Sequence, residues 1–272
     1  VVDLNPGREK QSEKQKSVIP ETEPENTHAE NYRINSFHLG EGSPKQKFRA
    51  NMDAIYTLKT LENQHRDATP EEQETLANYV GWGGLADAFD AEKAAWTGEY
   101  KELKAALTEE EYAAARASTL NAHYTSPTVI RAIYEALDGM GFEKGNILEP
   151  SMGVGNFFGM LPERMKDSQL TGVELDSISG RIARKLYPNA DIKITGYENT
   201  KFADNSFDCA VGNVPFGDYS LHDKRYDKEH LLIHDYFFVK SLDKVRPGGV
   251  VAFVTSKGTL DKANPAARRL MA

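Results

Sequence analysis

The sequence predicts an α/β fold: a doubly wound, mostly parallel sheet with helices on both faces, preceded by a helical N-terminal extension. Three observations carry that expectation. From residue 121, short β-branched runs alternate with helical patterns. The runs are apolar along their length, as strands covered on both faces are. A glycine turn, "EPSMGVGNFF", follows the first of them, where a doubly wound sheet places a ligand-binding loop.

Residues 1–31 are rich in Glu, Lys, Gln and Pro with almost no large apolar side chains, so they read as a disordered linker. The chain opens on Val1 rather than Met, as expected of a fragment of a longer polypeptide. Order is expected to begin near "YRINSFHLG", with Ile34 and Phe37 as anchors. Residues 32–120 read as a helical subdomain. Ser43 caps a helix opened by Pro44, with Phe48, Met52, Ile55, Tyr56 and Leu58 as its apolar stripe. Thr69, Pro70 and Glu72 repeat the device as a capping box, and Thr108 with Glu111 does so again. Between them "VGWGGL" reads as a tight turn, with Trp82 packing the subdomain onto the sheet.

Residues 121–272 form the α/β core. "HYTSPTVIRAIYEAL" places Tyr124 and Thr125 ahead of a helix capped by Ser126 with Pro127 in its first turn. "NILEP" and "LTGVEL" are strands, and a helix from Ser177 to Tyr187 follows, capped by Asp176. "ADIKITGY" and "FDCAVGN" are strands, "HLLIHDYFFVKSLDKV" a helix, and "GGVVAFVTS" a fifth strand.

Composition narrows the function. Cys209 is the only cysteine, so no intrachain disulfide forms and a reducing compartment is expected; in its apolar strand it reads as inert core. No apolar run has membrane-spanning length and no signal peptide opens the chain, so a soluble cytoplasmic protein is expected. The net charge of −8 weighs against a dedicated nucleic-acid binder, although a local basic groove can sit on an acidic protein.

The chemistry-bearing residues cluster after the strands. Gly153 and Gly155 let backbone approach a ligand, and the following helix start offers free N–H groups. Glu174 ends the second strand 19 residues beyond Gly155, where a carboxylate accepts hydrogen bonds from both ribose hydroxyls of a nucleotide-like ligand. His230 and His234 are spaced four apart, but no third metal ligand is evident, so they read as structural. "DYSLHDKRYDKEH" is a charged loop, either a solvated connection or a lid whose Lys224 and Arg225 touch phosphates.

"HYTSP", "ILEPSMGVGNFF", "GVELD", "FDCAVGNVPF" and "GGVVAFVTSKGTL" occur in that order over residues 123–260. In this the chain resembles the S-adenosylmethionine-dependent amino-methyltransferases. With the Tyr-Thr-x-Pro segment ahead of the glycine turn, it is similar to the gamma arrangement of adenine-N6 DNA methyltransferases. "NYVGWGGLADAF" and "GNVPFGD" further resemble large methylase-helicase fusion proteins of bacterial conjugative elements and phages.

The resemblance implies a Rossmann-like class I methyltransferase core, S-adenosyl-L-methionine as cofactor, DNA as partner, and a helicase portion of the same parent chain as a second partner. It implies that Tyr124, Thr125, Glu149, Gly153, Gly155, Glu174 and Glu198 hold the cofactor. Tyr124 and Thr125 would approach its methionine carboxylate and Glu198 its adenine amine, unless Glu198 is a solvated loop carboxylate. The related fold has seven strands; five are counted here, so the core is expected to be truncated after the fifth, leaving an exposed edge.

The catalytic tetrapeptide of such enzymes is Asn or Asp, Pro, Pro, aromatic. Here it reads Asn213, Val214, Pro215, Phe216. The resemblance makes the Asn213 side-chain oxygen and the next carbonyl the acceptors for the target amine. Val214 keeps that carbonyl, loses the fixed φ of proline and gains an N–H that needs a partner. Pro215 still biases Val214 toward extended backbone. Phe216 can stack on a base swung out of the duplex. Asn suits adenine N6, cytosine N4 or a protein glutamine, and the motif order favours adenine. The rival readings are a site that binds cofactor without transferring methyl, and a non-catalytic docking module of a larger helicase.

Overall fold

A computed structural model describes residues 29–35, 40–119, 125–261 and 265–272. Five strands, β1 (Asn146–Glu149), β2 (Gln169–Glu174), β3 (Asp191–Ile194), β4 (Phe207–Asn213) and β5 (Val245–Val254), form one sheet in the order 3-2-1-4-5. Every pairing is parallel. The chain winds outward from β1 through β2 to β3, then restarts on the other side of β1 with β4 and β5. The order therefore reverses between β1 and β4, the switch point beyond whose carboxyl ends doubly wound sheets bind ligands. This is the Rossmann-like arrangement the sequence predicts.

The helices are α1 (Pro44–Asn63), α2 (Pro70–Ala77), α3 (Thr97–Ala106), α4 (Glu109–Ser118), α5 (Pro127–Gly139), α6 (Asn156–Gly159), α7 (Ser177–Leu186), α8 (Ile233–Lys244), α9 (Gly258–Asp261) and α10 (Ala266–Met271). The caps are those the sequence names. Ser43 with Gln46, Thr69 with Glu72 and Thr108 with Glu111 close capping boxes, and Ser126 and Asp176 cap α5 and α7.

Alternate residues of each strand serve opposite faces. Ile147, Cys209 and Val211 join a cluster that runs through α5, α7 and the whole helical extension, including Met52, Ile55, Leu76 and Trp82. Leu148 and Ala210 join a second cluster with Tyr236, Phe237 and Val239 of α8 and Ala267 of α10. The extension is thus fused to one sheet face. Arg181 of α7 ties it down, with ion pairs to Glu62 of α1 at 3.1 Å and to Glu111 of α4.

Four local expectations are corrected or refined. Order is present from residue 29: the Asn189 N–H donates to the Asn31 side chain, Tyr32 N–H to Leu186, and Ile34 N–H to Gly159. Phe37 lies outside the described residues. The helix after the glycine turn, α6, is a single turn, because Leu161-Pro162 follows at once; its N-terminus is too slight to serve as an anion site. α8 starts at Ile233, so His230 is not on it but just ahead, in a left-handed conformation (φ 48°), and cannot share a helical face with His234. Trp82 is buried edge-on to Phe48, Tyr79 and Phe89, so its aromatic neighbours come from within the extension, inside the core cluster that the extension shares with the sheet.

Candidate active site

β1 and β4 are adjacent and parallel, so whatever follows Glu149 and whatever follows Asn213 emerge on one rim. The Ser151 hydroxyl bridges the two, donating to the Asn213 carbonyl at 2.9 Å. Behind this rim lies a cavity of about 410 Å³, lined on the sheet side by Ser151, Gly153, Glu174, Asp176, Thr195 and Glu198 and beyond them by Asn213, Val214, Pro215 and Phe216. That volume is within the range of small-molecule sites. A smaller recess of about 80 Å³ joins Thr125, Glu149, Ser151, Gly153, Asn156 and Asn213.

Glu174 is held by backbone. Its two carboxylate oxygens accept the N–H groups of Gly153 and Asp176, each at 2.7 Å. Burial raises its pKa to about 7; those N–H bonds pull the other way and the Asp176 charge adds to the rise. Glu149 is 2% exposed, its Oε2 has no hydrogen-bond partner among the described residues, and burial together with the Glu174 charge drives its pKa well up. A buried carboxyl oxygen without a donor, facing a polar recess, is costly unless a cationic or donor group completes it.

The two turn glycines part company. Gly153 has φ 56° and open space where a Cβ would stand, so it faces the cavity. Gly155 has φ 85°, and a Cβ there would come within 2.5 Å of the Tyr187 ring. Gly155 therefore serves packing of the turn onto α7 and does not line either cavity. Tyr124 lies outside the described residues. Glu198 lines the cavity from the short turn Tyr197–Asn199, and its carboxylate accepts from the Asn199 amide at 2.8 Å. Gly196 makes room for it: a Cβ there would sit 2.0 Å from Glu198 Oε1.

The tetrapeptide corner is intact in backbone terms. The Val214 N–H, the group absent from proline, donates to the Val254 carbonyl of β5 at 3.1 Å. The Val214 side chain is buried in the second cluster, and Phe216 is 38% exposed at the cavity mouth. Tyr219, 49% exposed, stands beside it.

Lys224 is exposed, and neither Lys224 nor Arg225 lines the main cavity. Arg225 is committed to Asp204 and Asp243, both at 2.8 Å. What the sequence did not reveal is Lys240. Its side chain is 3% exposed, and its ammonium donates to the Tyr197 carbonyl at 2.7 Å and pairs with Asp223 at 3.0 Å. Tyr236 donates to the same Asp223 carboxylate at 2.7 Å. Lys240 thus joins the turn carrying Glu198 to the loop after Phe216. Only its place on the apolar side of α8 hinted at this. Among the described residues no group of three His, Cys, Asp or Glu is placed to hold a metal, and no helix is long and apolar enough to cross a membrane.

No family model matches the chain. It is 28% identical over 236 residues to the Defense against restriction protein B of Escherichia phage P1, covering 85% of this chain and 9% of the phage protein. It is 29% identical over 114 residues to the Modification methylase CviBIII of Paramecium bursaria Chlorella virus NC1A, covering 40% of this chain and 30% of that one. The chain spans less than a third of the length of either relative. A crystal structure from Listeria monocytogenes ascribed to the class I S-adenosylmethionine-dependent methyltransferases covers 83% of this chain and 78% of its own, with a TM-score of 0.46 and 14% identity.

The cavity suits such a cofactor. S-adenosylmethionine carries a sulfonium and an ammonium, and the carboxyl groups of Glu149, Glu174, Asp176 and Glu198 line the two recesses, with no basic side chain among the described residues that line them. The partnerless Glu149 oxygen matches an ammonium donor, and Glu174 matches a ribose diol.

Proposed function

We propose that this chain is the catalytic core of an S-adenosylmethionine-dependent methyltransferase acting on the N6 amine of an adenine swung out of DNA. The observation that carries the reading is one cavity that holds both the carboxylate rim after β1–β3 and the Asn213–Phe216 corner after β4. When bound, the cofactor supplies a methyl group on a cationic sulfur. The chain supplies position and electrostatics. Glu149 and Thr125 receive the amino-acid end, Glu174 the ribose, and Glu198 the base amine. Phe216 gives a flat exposed ring for the extruded base. The Asn213 amide oxygen and the Val214 carbonyl accept the two N–H bonds of the target amine. This localises the nitrogen lone pair and aims it across the cavity. The nitrogen proton released on transfer passes to solvent at the open mouth.

The parallel with the viral modification methylase supports DNA as substrate. The match to 9% of the phage relative fits a longer parent protein, and the resemblance of "NYVGWGGLADAF" and "GNVPFGD" to methylase-helicase fusions supports a helicase portion of that parent as second partner. Incubating the intact parent protein with labelled cofactor and unmethylated DNA tests the reading. Label recovered as N6-methyladenine is the expected outcome. Label on cytosine or on protein would move the substrate, and no transfer together with measurable cofactor binding would establish the non-catalytic alternative.

A further inference from the structure

The motif "VGWGGL" finds no role in the methyl-transfer reading, yet the structure brings it to the same cavity. Tyr79 and Gly81, just after α2, and Ser118, at the end of α4, line it together with Glu174, Leu175, Asp176 and Ser179. The cavity therefore has a wall that comes from the helical extension, opposite the residues following β2.

This wall is built, not incidental. Asn51 of α1 is fully buried and spends both ends of its amide on the turn: Nδ2 donates to the Gly81 carbonyl at 2.6 Å and Oδ1 accepts the Val80 N–H at 2.8 Å. Burying an amide is tolerated when every polar atom is matched, and here the matching fixes one short loop. Gly81 (φ 67°) and Gly84 (φ 73°) take left-handed backbone, and the Gly84 N–H donates to the Thr119 carbonyl at 3.2 Å. The Gly81 and Ser118 strips are thereby tied to each other. Arg181, one turn into α7 from Asp176, holds the extension to the sheet through Glu62 and Glu111. Opposite lies Leu175, 75% exposed, a large aliphatic side chain left bare between two carboxylates.

We propose that the turn Tyr79–Gly84 forms the outer wall of the nucleoside half of the cofactor site, so that a purine nucleoside is held between this turn and the segment Glu174–Ser179. The proposal rests on the cofactor reading above. A side chain-free Gly81 lets backbone lie close to a flat ring, and Leu175 supplies the apolar surface on which the ring rests. The helical extension is then part of the cofactor site, not an appendage to it.

The test uses calorimetry with two probes: S-adenosylhomocysteine, and 5′-methylthioadenosine, which keeps the nucleoside and lacks the amino acid. Ser118→Trp and Gly81→Val should each weaken both probes at least about tenfold, the scale on which a pocket rejects a small misfit. Ser118→Trp adds bulk at a partly exposed helix end and should keep the wild-type melting temperature, so it remains informative if Gly81→Val disturbs the turn. Glu174→Ala is the reference. If wild type binds and Glu174→Ala does not, while folded Ser118→Trp and Gly81→Val bind both probes like wild type, the wall is overturned and the cofactor reading stands. If only S-adenosylhomocysteine is weakened, the wall belongs to the amino-acid end and the nucleoside assignment falls. If wild type binds neither probe, the cofactor reading itself fails and takes the wall with it.

Discussion

The two sides of the cavity are held by different means. On the β1–β3 side the polar groups are fixed by main chain: Glu174 sits on two backbone N–H groups, and Glu198 rides a short turn cleared by Gly196. On the β4 side the Val214 corner shares a main-chain bond with β5, but the loop after Phe216 is held by the side chains of Asp223, Tyr236 and Lys240. A site held by main chain is already formed before a ligand arrives. A site held by side chains depends on a network that a single substitution can open. Substitutions on the two sides should therefore separate binding from transfer.

The largest effect is expected at Asn213. In the proposed reaction Asn213→Ala removes one of two acceptors for the target amine, and removal of a positioned polar group of this kind costs about 10²–10³ in kcat. Cofactor affinity should stay within a few-fold of wild type, because Glu149, Glu174 and Glu198 are untouched. Equal loss of both would mean that Asn213 belongs to the cofactor side.

Next comes Lys240→Met. Asp223 would lose its buried partner and the Tyr197 carbonyl its donor, a change worth about 3 kcal/mol where one member of a buried pair is removed. Denaturant melts should show that loss. Because Lys240 bridges both sides, KM for DNA and KM for cofactor should rise together, whereas a merely destabilised protein would show lower active fraction with unchanged KM values.

Glu174→Gln is gentler. It keeps the shape but loses the charge and one of the two oxygens that accept the Gly153 and Asp176 N–H groups; a hydrogen bond to a charged group contributes about 1.5–3 kcal/mol, roughly ten- to a hundredfold in affinity. The sign of its pH dependence follows from the raised pKa of about 7. Below that value the carboxyl is protonated and a poorer acceptor for the ribose, so cofactor affinity should climb as pH rises through 7 and then level. The same rise in pKa makes the folded state lose stability as pH climbs from the ordinary carboxylate range to 7, since the unfolded chain gives up this proton first. Gln should flatten both slopes. Glu149, whose pKa burial also raises, lies in the adjoining recess, and any slope that survives in the variant belongs to it.

These expectations also mark what was legible in the sequence. The helix starts at Ser43, Thr69, Thr108, Ser126 and Asp176 were, because a cap is a contact over three residues. The strand sequence and the common rim of Glu174 and Asn213 were, because winding rules leave few topologies once the strands alternate with helices. The division of labour between Gly153 and Gly155 was not, since it turns on where Tyr187 packs. Nor were the Lys240–Asp223 pair or the arrival of Gly81 at the cavity, which join residues 17 and more than 90 positions apart through tertiary packing. A lysine in "FFVKSL" looks like a solvent-facing break in an apolar helix until the loop carrying Asp223 folds over it.

The smallest effect is expected from restoring the usual spelling of the tetrapeptide, Val214→Pro. The substitution removes one hydrogen bond, Val214 N–H to Val254, worth about 0.5–1.5 kcal/mol net. It also restricts the unfolded chain, which returns about 0.4–1 kcal/mol where the native backbone accepts proline. Asn213, the residue ahead, ends β4 in extended backbone, the conformation a following proline favours. The terms nearly cancel, so the melting temperature should move by only a few degrees and methyl transfer by a few-fold at most. A large gain in kcat would instead show that proline rigidity at this corner carries catalysis and that valine has weakened it. A collapse of stability would show that the bond to β5, rather than the bend before Pro215, is what holds the substrate side in place.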